Sequence, residues 1–372
     1  MKIKTFCLSL LVSIPCLLNA EPYFAAWKGV NCNACHMNQT GGWLRDGFGK
    51  NYGNQLATFD WEGLANAAKG ASKPLPSAIS VGLDIHESYV ETFFQKPVTN
   101  VNGFLSGPGF GNYPNGGRQA LEIGIKANEV LTGVLAYRLD DYSTREMYIL
   151  LNNLPAEGYL KLGKFTLPYG LELADDNSLV RGALGFSFDN NPAEGLEGGI
   201  YPDPFFANFA FFNGDTTTSE KAFSGKGGFS GDGWALAGSV FGQNLDLVTK
   251  SVRYGAFGWG RIAPVVILAE FDQGSDGITS ASQNNIQAYH VSAEGDLGYD
   301  CYLRLTTEWF GDSMGSNSSD GFRHLVSFRC YPVHNLKFQL DLVRTAPAAS
   351  SSNYTNLGPV EDMMVADAFF YY

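Results

Sequence analysis

The chain has 372 residues with a formal net charge of -12 at pH 7, and only 17% of its residues are charged. This acidic balance excludes a nucleic-acid-binding surface, because phosphates are bound by clusters of lysine and arginine. The sequence also contains 44 glycines, 27 phenylalanines and 18 tyrosines, but no apolar run long enough for a transmembrane helix. This composition favours a protein made of many short strands with belts of aromatic side chains.

The first residues have the three parts of a secretory signal peptide. A basic start at residues 1–4 is followed by an apolar stretch at residues 5–18 and by a small-residue cleavage site ending at Ala20. We therefore expect residues 1–20 to be removed on export. The alternative is a lipoprotein anchored at Cys16, but the residues before this cysteine match such a site poorly.

A Cys-X-X-Cys-His motif follows soon after the expected cleavage site, as Cys32-Asn33-Ala34-Cys35-His36. The two thiols have the spacing that adds across the two vinyl groups of haem, and the adjacent histidine then lies under the iron as the proximal ligand. The sequence therefore predicts one covalent haem c, held by Cys32 and Cys35 and ligated by His36. Half of a zinc site or a redox dithiol is the alternative, but a zinc site would need further Cys or His nearby.

The distal iron ligand is not fixed by the motif, since methionine, histidine and an open position all occur in haem proteins. The strand alternation described below points His86 and His290 into a barrel lumen and His324 outward. His86 or His290 is therefore a candidate distal ligand, although the simpler explanation of each is a polar residue lining the lumen. The other candidates are His334, Met147, Met314, Met363 and Met364.

Residues 77–372 alternate apolar and polar side chains over stretches of about ten residues, which is typical of a transmembrane β-barrel. One face of the first stretch carries Ile79, Val81, Leu83 and Ile85. The breaks between stretches alternate between tight turns and longer loops, as in barrels with short periplasmic turns and long outer loops. We predict an antiparallel barrel of about 16 strands that ends in an aromatic strand. A soluble β-sandwich or solenoid is the alternative.

The predicted outer loops and lumen carry most of the charge. The longer connections are expected at residues 95–116, 166–192, 273–285, 311–320 and 346–360. Their acidic residues, including Glu172, would attract cations at long range. Charges on the lumen face fit either a water-filled channel or an interior that holds a plug: Glu122, Lys126, Arg138, Asp140, Arg304, Glu308, Arg323, Arg329, Lys337 and Asp341.

The region before the barrel divides into two parts. Residues 21–64 form a small helical or irregular cytochrome c segment around the haem motif. Residues 65–76 are a linker, because Pro74 and Pro76 interrupt both helix and sheet. The segment is too small to bury a haem unaided, so we expect it to lodge in the barrel lumen.

Two further cysteines remain after export, Cys301 and Cys330. They lie symmetrically about the predicted loop at residues 311–321, so a hairpin folded there would bring them together on adjacent strands. An oxidising compartment favours a disulfide between them near the periplasmic rim, although the hairpin register is not fixed by the sequence.

A haem motif behind a signal peptide and ahead of a barrel resembles the fused outer-membrane monohaem cytochrome–porins of iron-oxidising bacteria. The resemblance covers residues 22–27, the haem motif, Leu44, residues 47–49 and residues 52–53. The chain departs from that family at Gly41-Gly42, where a proline often follows the haem histidine.

The resemblance implies an electron-transfer protein like an Fe(II):cytochrome c oxidoreductase. It would take electrons from extracellular Fe(II) and pass them through the haem to a periplasmic c-type cytochrome or another electron carrier. The alternatives are electron export to an extracellular acceptor, a transport porin with a haem-bearing gating or sensor segment, and a soluble periplasmic haem protein. The expected location is the bacterial outer membrane, with the haem segment in the lumen or the periplasm.

Overall fold

The structure is a computed structural model that describes the barrel strands and a small part of the rest. The described residues are 23, 26–27, 78–94, 109–110, 118–172, 178, 180, 184, 186, 192–214, 221–244, 250–277, 284–312, 321–333, 336–347 and 361–371. The predicted signal peptide, the predicted linker and the predicted haem site at Cys32, Cys35 and His36 lie outside the described residues.

The described strands form one continuous antiparallel sheet. They are β1 (Ile79–Phe94), β2 (Gly109–Phe110), β3 (Arg118–Lys126), β4 (Leu131–Arg138), β5 (Thr144–Leu154), β6 (Gly158–Thr166), β7 (Pro192–Ile200), β8 (Phe205–Asn213), β9 (Lys221–Gly231), β10 (Trp234–Asn244), β11 (Lys250–Ile262), β12 (Val265–Gly277), β13 (Asn284–Gly298), β14 (Cys301–Asp312), β15 (Gly321–Val333), β16 (Leu336–Pro347) and β17 (Glu361–Tyr371). Each long strand pairs with its neighbour in sequence, and β1 closes the ring by pairing with both β17 and β3. Because β2 is a two-residue piece at the rim, the described strands make a closed barrel of 16 long strands, as predicted.

Compared with a soluble protein, the barrel has its apolar side chains on the outer face and its polar side chains on the inner face. On β16, Leu340 and Leu342 are 39% and 51% exposed, whereas Asp341 between them is fully buried. The same alternation of exposed and buried residues runs along β4 and β8. A soluble sandwich would bury its apolar face, so an apolar outer face and a polar interior indicate that lipid surrounds this barrel.

The connections between strands differ at the two edges. Tight turns lie at one edge, at residues 127–130, 155–157, 201–204, 232–233, 263–264 and 299–300. The other edge carries the longer connections, including residues 167–191, 313–320 and 348–360. β1 begins and β17 ends at the edge with the tight turns, which is the periplasmic edge in outer-membrane barrels. Among the described residues, no helix has the length and apolar character needed to cross a bilayer.

Candidate functional site in the barrel lumen

Ionisable side chains line the lumen and are almost completely buried there. The lumen charges predicted from strand alternation are buried at Glu122, Arg138, Arg304, Glu308, Arg323, Arg329, Lys337 and Asp341. Lys126 and Asp140 lie next to the connections and are more exposed. Side chains around a wide water-filled channel would be exposed, so this burial means that other parts of the protein occupy the space beside these charges.

Buried ion pairs neutralise much of this charge. On neighbouring strands, Lys161 Nζ lies 3.0 Å from Glu197 Oε1, and both side chains are fully buried. Tyr159 donates a second hydrogen bond to the same Glu197 oxygen. Arg329 pairs with Glu294, again with no exposed surface on either side chain. Each pair places opposite charges side by side, so the net charge inside the barrel is smaller than the number of ionisable side chains suggests.

The connection after β6 lies at the edge with the longer connections, as predicted, but its described residues enter the lumen and are not solvated. Tyr169 donates a hydrogen bond of 2.9 Å to Asp272 on β12. Ser178 donates one of 2.6 Å to Glu308 on β14. β14 lies eight strands from β6 in the ring of 16, so the described residues of this connection reach across the interior of the barrel. These residues, called the inward loop below, are 167–172, 178, 180, 184 and 186.

Glu172 belongs to this inward loop and was wrongly predicted to be a solvated outer-loop acid. Its Oε1 lies 2.5 Å from Lys226 Nζ inside the barrel. The loop is also apolar where it meets the wall: Phe186 stacks on Tyr169 at 4.1 Å between ring centroids and meets Phe241 edge-on at 5.0 Å. A pairing partner and an apolar environment therefore replace the solvent that the sequence pattern suggested.

Three helical residues of the N-terminal segment also lie inside the barrel: Tyr23, Ala26 and Trp27. All three are buried, with exposed fractions of 1%, 0% and 8%. The Tyr23 hydroxyl donates a hydrogen bond of 2.5 Å to Ser292 Oγ on β13. The part of the chain just ahead of the haem motif is thus fixed to the lumen wall.

Positively charged side chains surround this helical segment. The guanidinium groups of Arg304 and Arg329 lie 5.2 and 5.5 Å from the centre of the Tyr23 ring, within the range of cation–π attraction. Arg261, near the end of β11, donates a hydrogen bond to the backbone carbonyl of Trp27. The segment is therefore held at both its start and its end.

An apolar cluster completes the seat of the helical segment. Seven side chains pack with Tyr23, Ala26 and Trp27 and form what is called the seat below: Leu171, Ala237, Phe257, Val266, Leu268, Tyr302 and Tyr331. Tyr302 and Val266 stand beside the tight turns at residues 299–300 and 263–264, so the seat lies toward the periplasmic edge. The sequence pattern did not predict this seat, because its members come from five strands and the inward loop, which are far apart in the chain.

His86, one of the two candidate distal ligands, faces the lumen as predicted. Its Nε2 lies 3.1 Å from Asp367 Oδ1 and 3.0 Å from Ser88 Oγ. Its ring stacks on Phe369 with 3.8 Å between centroids. These contacts fix the ring against the wall formed by β1 and β17.

His290, the other candidate, also faces the lumen. Its Nδ1 lies 2.9 Å from Glu308 Oε1, and its Nε2 lies 2.9 Å from Ser292 Oγ. A bond to iron at either nitrogen would therefore replace an existing hydrogen bond. His324 faces outward, with Nδ1 3.3 Å from the Thr307 hydroxyl, as the alternation predicts.

Cys301 and Cys330 form a disulfide, the pairing that the sequence suggested. They lie directly opposite each other in the register of β14 and β15, with 4.2 Å between Cα atoms. The bond stands beside the tight turn at residues 299–300. In that turn, partial burial and then the negative charge of Asp296 raise the pKa of the Asp300 carboxyl above its usual value.

Solved structures of outer-membrane proteins have a fold similar to that of this chain. The chain is similar to OmpT of Vibrio cholerae, with a TM-score of 0.61 and 12% identity over 81% of this chain and 100% of that one. It is similar to an anion-selective porin from Comamonas acidovorans, with a TM-score of 0.58 and 10% identity over 79% of this chain and 99% of that one. For the outer membrane channel DcaP of Acinetobacter baumannii the TM-score is 0.57, with 10% identity over 79% and 97%.

The fold and the lipid-facing surface together define a β-barrel of the outer-membrane porin type. No protein-family model matches the chain, and no curated protein matches it by sequence.

Proposed function

We propose that the protein is an outer-membrane electron conduit that carries one covalent haem c. Cys32 and Cys35 would hold the haem through thioether bonds, and His36 would ligate the iron. Bound there, the haem would supply a carrier for single electrons. The electrons would come from extracellular Fe(II) and leave to a periplasmic c-type cytochrome.

The burial of Trp27 in the barrel is the observation that carries this proposal. Cys32 follows Trp27 by five residues, so even a fully extended chain keeps its Cα atom within about 18 Å of that of Trp27. The apolar band of an outer-membrane barrel is about 25 Å tall. A haem motif tethered so closely to the lumen wall is within reach of the interior, where a redox centre has to lie to carry electrons across.

The residues around Trp27 suit a haem in both shape and charge. Phe257, Leu268, Tyr302 and Tyr331 give the apolar, aromatic surroundings that shield a haem from water and tune its potential. The guanidinium of Arg304 lies beside Tyr23 and has the charge sign that a haem propionate would attract.

The barrel's own residues would insulate the electron route. The buried ion pairs and the inward loop exclude water from the middle of the lumen, which lowers the dielectric constant around any centre there. The outer wall of leucine and phenylalanine side chains keeps the assembly in the membrane. A mobile acceptor would meet the conduit at the periplasmic edge, where Tyr23 and Trp27 are seated.

Two other functions follow from the same features. The likeness to porins and channels favours a transport porin whose haem-bearing segment gates or senses. The same conduit run in reverse would export electrons to an extracellular acceptor. The buried lumen charges favour electron transfer over solute transport, because a diffusion pore needs a hydrated path.

Spectroscopy of the detergent-purified protein tests the proposal. We expect a covalent c-type haem that Fe(II) reduces, and loss of that haem in Cys32→Ser/Cys35→Ser. The matched control is Cys301→Ser/Cys330→Ser, which removes the other two mature cysteines and should leave the haem attached.

Three results would speak against the proposal. A wild-type protein that is purified without covalent haem would contradict the proposal. A haem that dithionite reduces but Fe(II) does not would exclude iron oxidation. On intact cells, a haem that stays oxidised with external Fe(II) but is reduced from the periplasm would favour electron export.

A further inference from the structure

Two separate parts of the chain enter the lumen and attach to the same wall. The inward loop reaches strands β12 and β14 through Tyr169 and Ser178. The helical residues around Tyr23 reach strand β13 through Ser292. Because β12, β13 and β14 are neighbours in the barrel, the two parts lie side by side.

A continuous chain of hydrogen bonds joins the two parts. Tyr23 contacts Ser292 at 2.5 Å, and Ser292 contacts His290 at 2.9 Å. His290 then contacts Glu308 at 2.9 Å, and Ser178 of the inward loop donates to the same Glu308 oxygen at 2.6 Å. All the wall residues in this chain are buried, so each bond is made away from competing water.

Direct apolar packing joins the two parts as well. Leu171 of the inward loop is 4% exposed and belongs to the cluster that contains Tyr23, Ala26 and Trp27. The backbone of Leu171 is itself fixed, since its N–H group donates to Glu270 Oε1 at 3.3 Å. The loop therefore supplies one side of the seat in which the helical segment rests.

The loop has further ties to the wall between β6 and β14. Ser224 on β9 donates to the Pro168 carbonyl at 2.8 Å, and Glu172 pairs with Lys226 on the same strand. Tyr169 binds Asp272 on β12, and Ser178 binds Glu308 on β14. Because β12 and β14 lie six and eight strands from β6 in a ring of 16, the loop residues that bind them have reached across the lumen from the strand where the connection begins.

From this arrangement we infer that the inward loop and the N-terminal helical segment form one two-part plug that closes the barrel to solutes. The described loop residues reach across the lumen, and Tyr23, Ala26 and Trp27 pack with Leu171 toward the periplasmic edge. Fully buried lumen side chains at Asp272, Glu294 and Arg329 accord with a closed interior. The inference concerns the barrel as a barrier to solutes and holds whether or not a haem is attached.

Conductance across a planar bilayer tests the plug directly. We expect the wild-type full chain to show no current steps of the size that an open 16-stranded porin gives. The variant Tyr169→Phe/Leu171→Ala/Ser178→Ala removes the side-chain hydrogen bonds from the loop to β12 and β14 and its side-chain packing against the helical segment, and it should raise the conductance at least tenfold. The matched control Tyr254→Phe/Leu162→Ala makes two of the same changes on the lipid face and should stay closed.

Two outcomes would overturn the inference: porin-sized steps in the wild type, or a folded loop variant that stays as closed as the control. Folding of each barrel is checked by its heat-dependent shift on a gel.

Thiol labelling gives an independent measurement that does not require the loop variant to fold. With Ala26→Cys in the otherwise native protein, a membrane-impermeant maleimide should label residue 26 at least tenfold more slowly than a thiol at an exposed turn, such as Ala156→Cys. Labelling at equal rates would overturn the inference. Mass spectrometry locates the label, so label found on Cys32 and Cys35 would count against the haem proposal without affecting the plug.

Discussion

The Tyr23 hydroxyl donates a hydrogen bond to Ser292 Oγ across a separation of 269 residues in the chain. This contact ties the segment just ahead of the Cys-X-X-Cys-His motif to strand β13 of the barrel wall. Both residues have only 1% of their surface exposed, so water does not compete for the bond. The contact therefore fixes the N-terminal segment at Tyr23 to the barrel wall.

Removing the Tyr23 hydroxyl should loosen the N-terminal segment without unfolding the barrel. Tyr23→Phe keeps the aromatic ring that Arg304 and Arg329 contact but loses a hydrogen bond worth about 1 kcal/mol, or about a fivefold change in the seated fraction. The labelling rate of Ala26→Cys should rise by that factor. Tyr254→Phe on the lipid face is the control and should leave the rate unchanged. An equal effect of both substitutions would contradict the assigned role of Tyr23.

The ion pair between Lys161 and Glu197 should be far more sensitive to mutation than an exposed pair. Lys161→Met leaves a buried carboxylate without its partner, which costs about 3 to 5 kcal/mol in the free energy of unfolding. The control is Lys126→Met, which breaks the exposed pair with Glu129 and should cost about 0 to 1 kcal/mol. Urea unfolding of the refolded barrels in detergent measures both values.

A second substitution checks the cause of this loss. Adding Glu197→Gln to Lys161→Met removes the unpaired charge, so we expect part of the lost stability to return. A double variant as unstable as the single one would mean that Lys161 acts through its packing against Tyr148 and Phe165 instead.

The barrel and its lipid and lumen surfaces were predictable because successive side chains of a strand point to opposite sides. Once Leu340 and Leu342 are assigned to lipid, Gln339 and Asp341 have to face the lumen. The alternation of turn and loop lengths then orients the whole barrel. These features depend on neighbours in sequence, which is the information that a sequence pattern carries.

The site was less predictable because its contacts join distant parts of the chain. Tyr169 and Asp272 are 103 residues apart, and Ser178 and Glu308 are 130 apart. A signal for the inward loop was nevertheless present, in apolar residues that a solvated outer loop would not need. They are Leu167, Tyr169, Leu171, Val180, Leu184 and Phe186. Loop length identified the correct edge of the barrel for this connection but carried no information about its turn into the lumen.

A charge on the lipid face should destabilise the barrel according to its depth. Leu305 in the middle of β14 and Leu297 beside a tight turn are both 53% exposed, so they differ in depth and not in exposure. Leu305→Arg should cost about 2 to 4 kcal/mol and Leu297→Arg about 0 to 1 kcal/mol in lipid vesicles. Urea unfolding in vesicles measures the difference. Equal costs would mean that β14 does not face lipid at that height.

The disulfide between Cys301 and Cys330 should stabilise the barrel, and under the proposed function it should have no part in electron transfer. It closes a loop of 29 residues in the unfolded chain, which corresponds to about 3 to 4 kcal/mol in the chain-entropy account. Cys301→Ser/Cys330→Ser should lower the unfolding free energy by that amount, and reduction of the wild type should do the same. Because both side chains lie on the face opposite to Tyr302 and Arg329, the haem absorbance and its reduction by Fe(II) should not change. A change in the haem spectrum of the double variant would instead mean that the disulfide positions the lumen seat through Tyr302 and Tyr331.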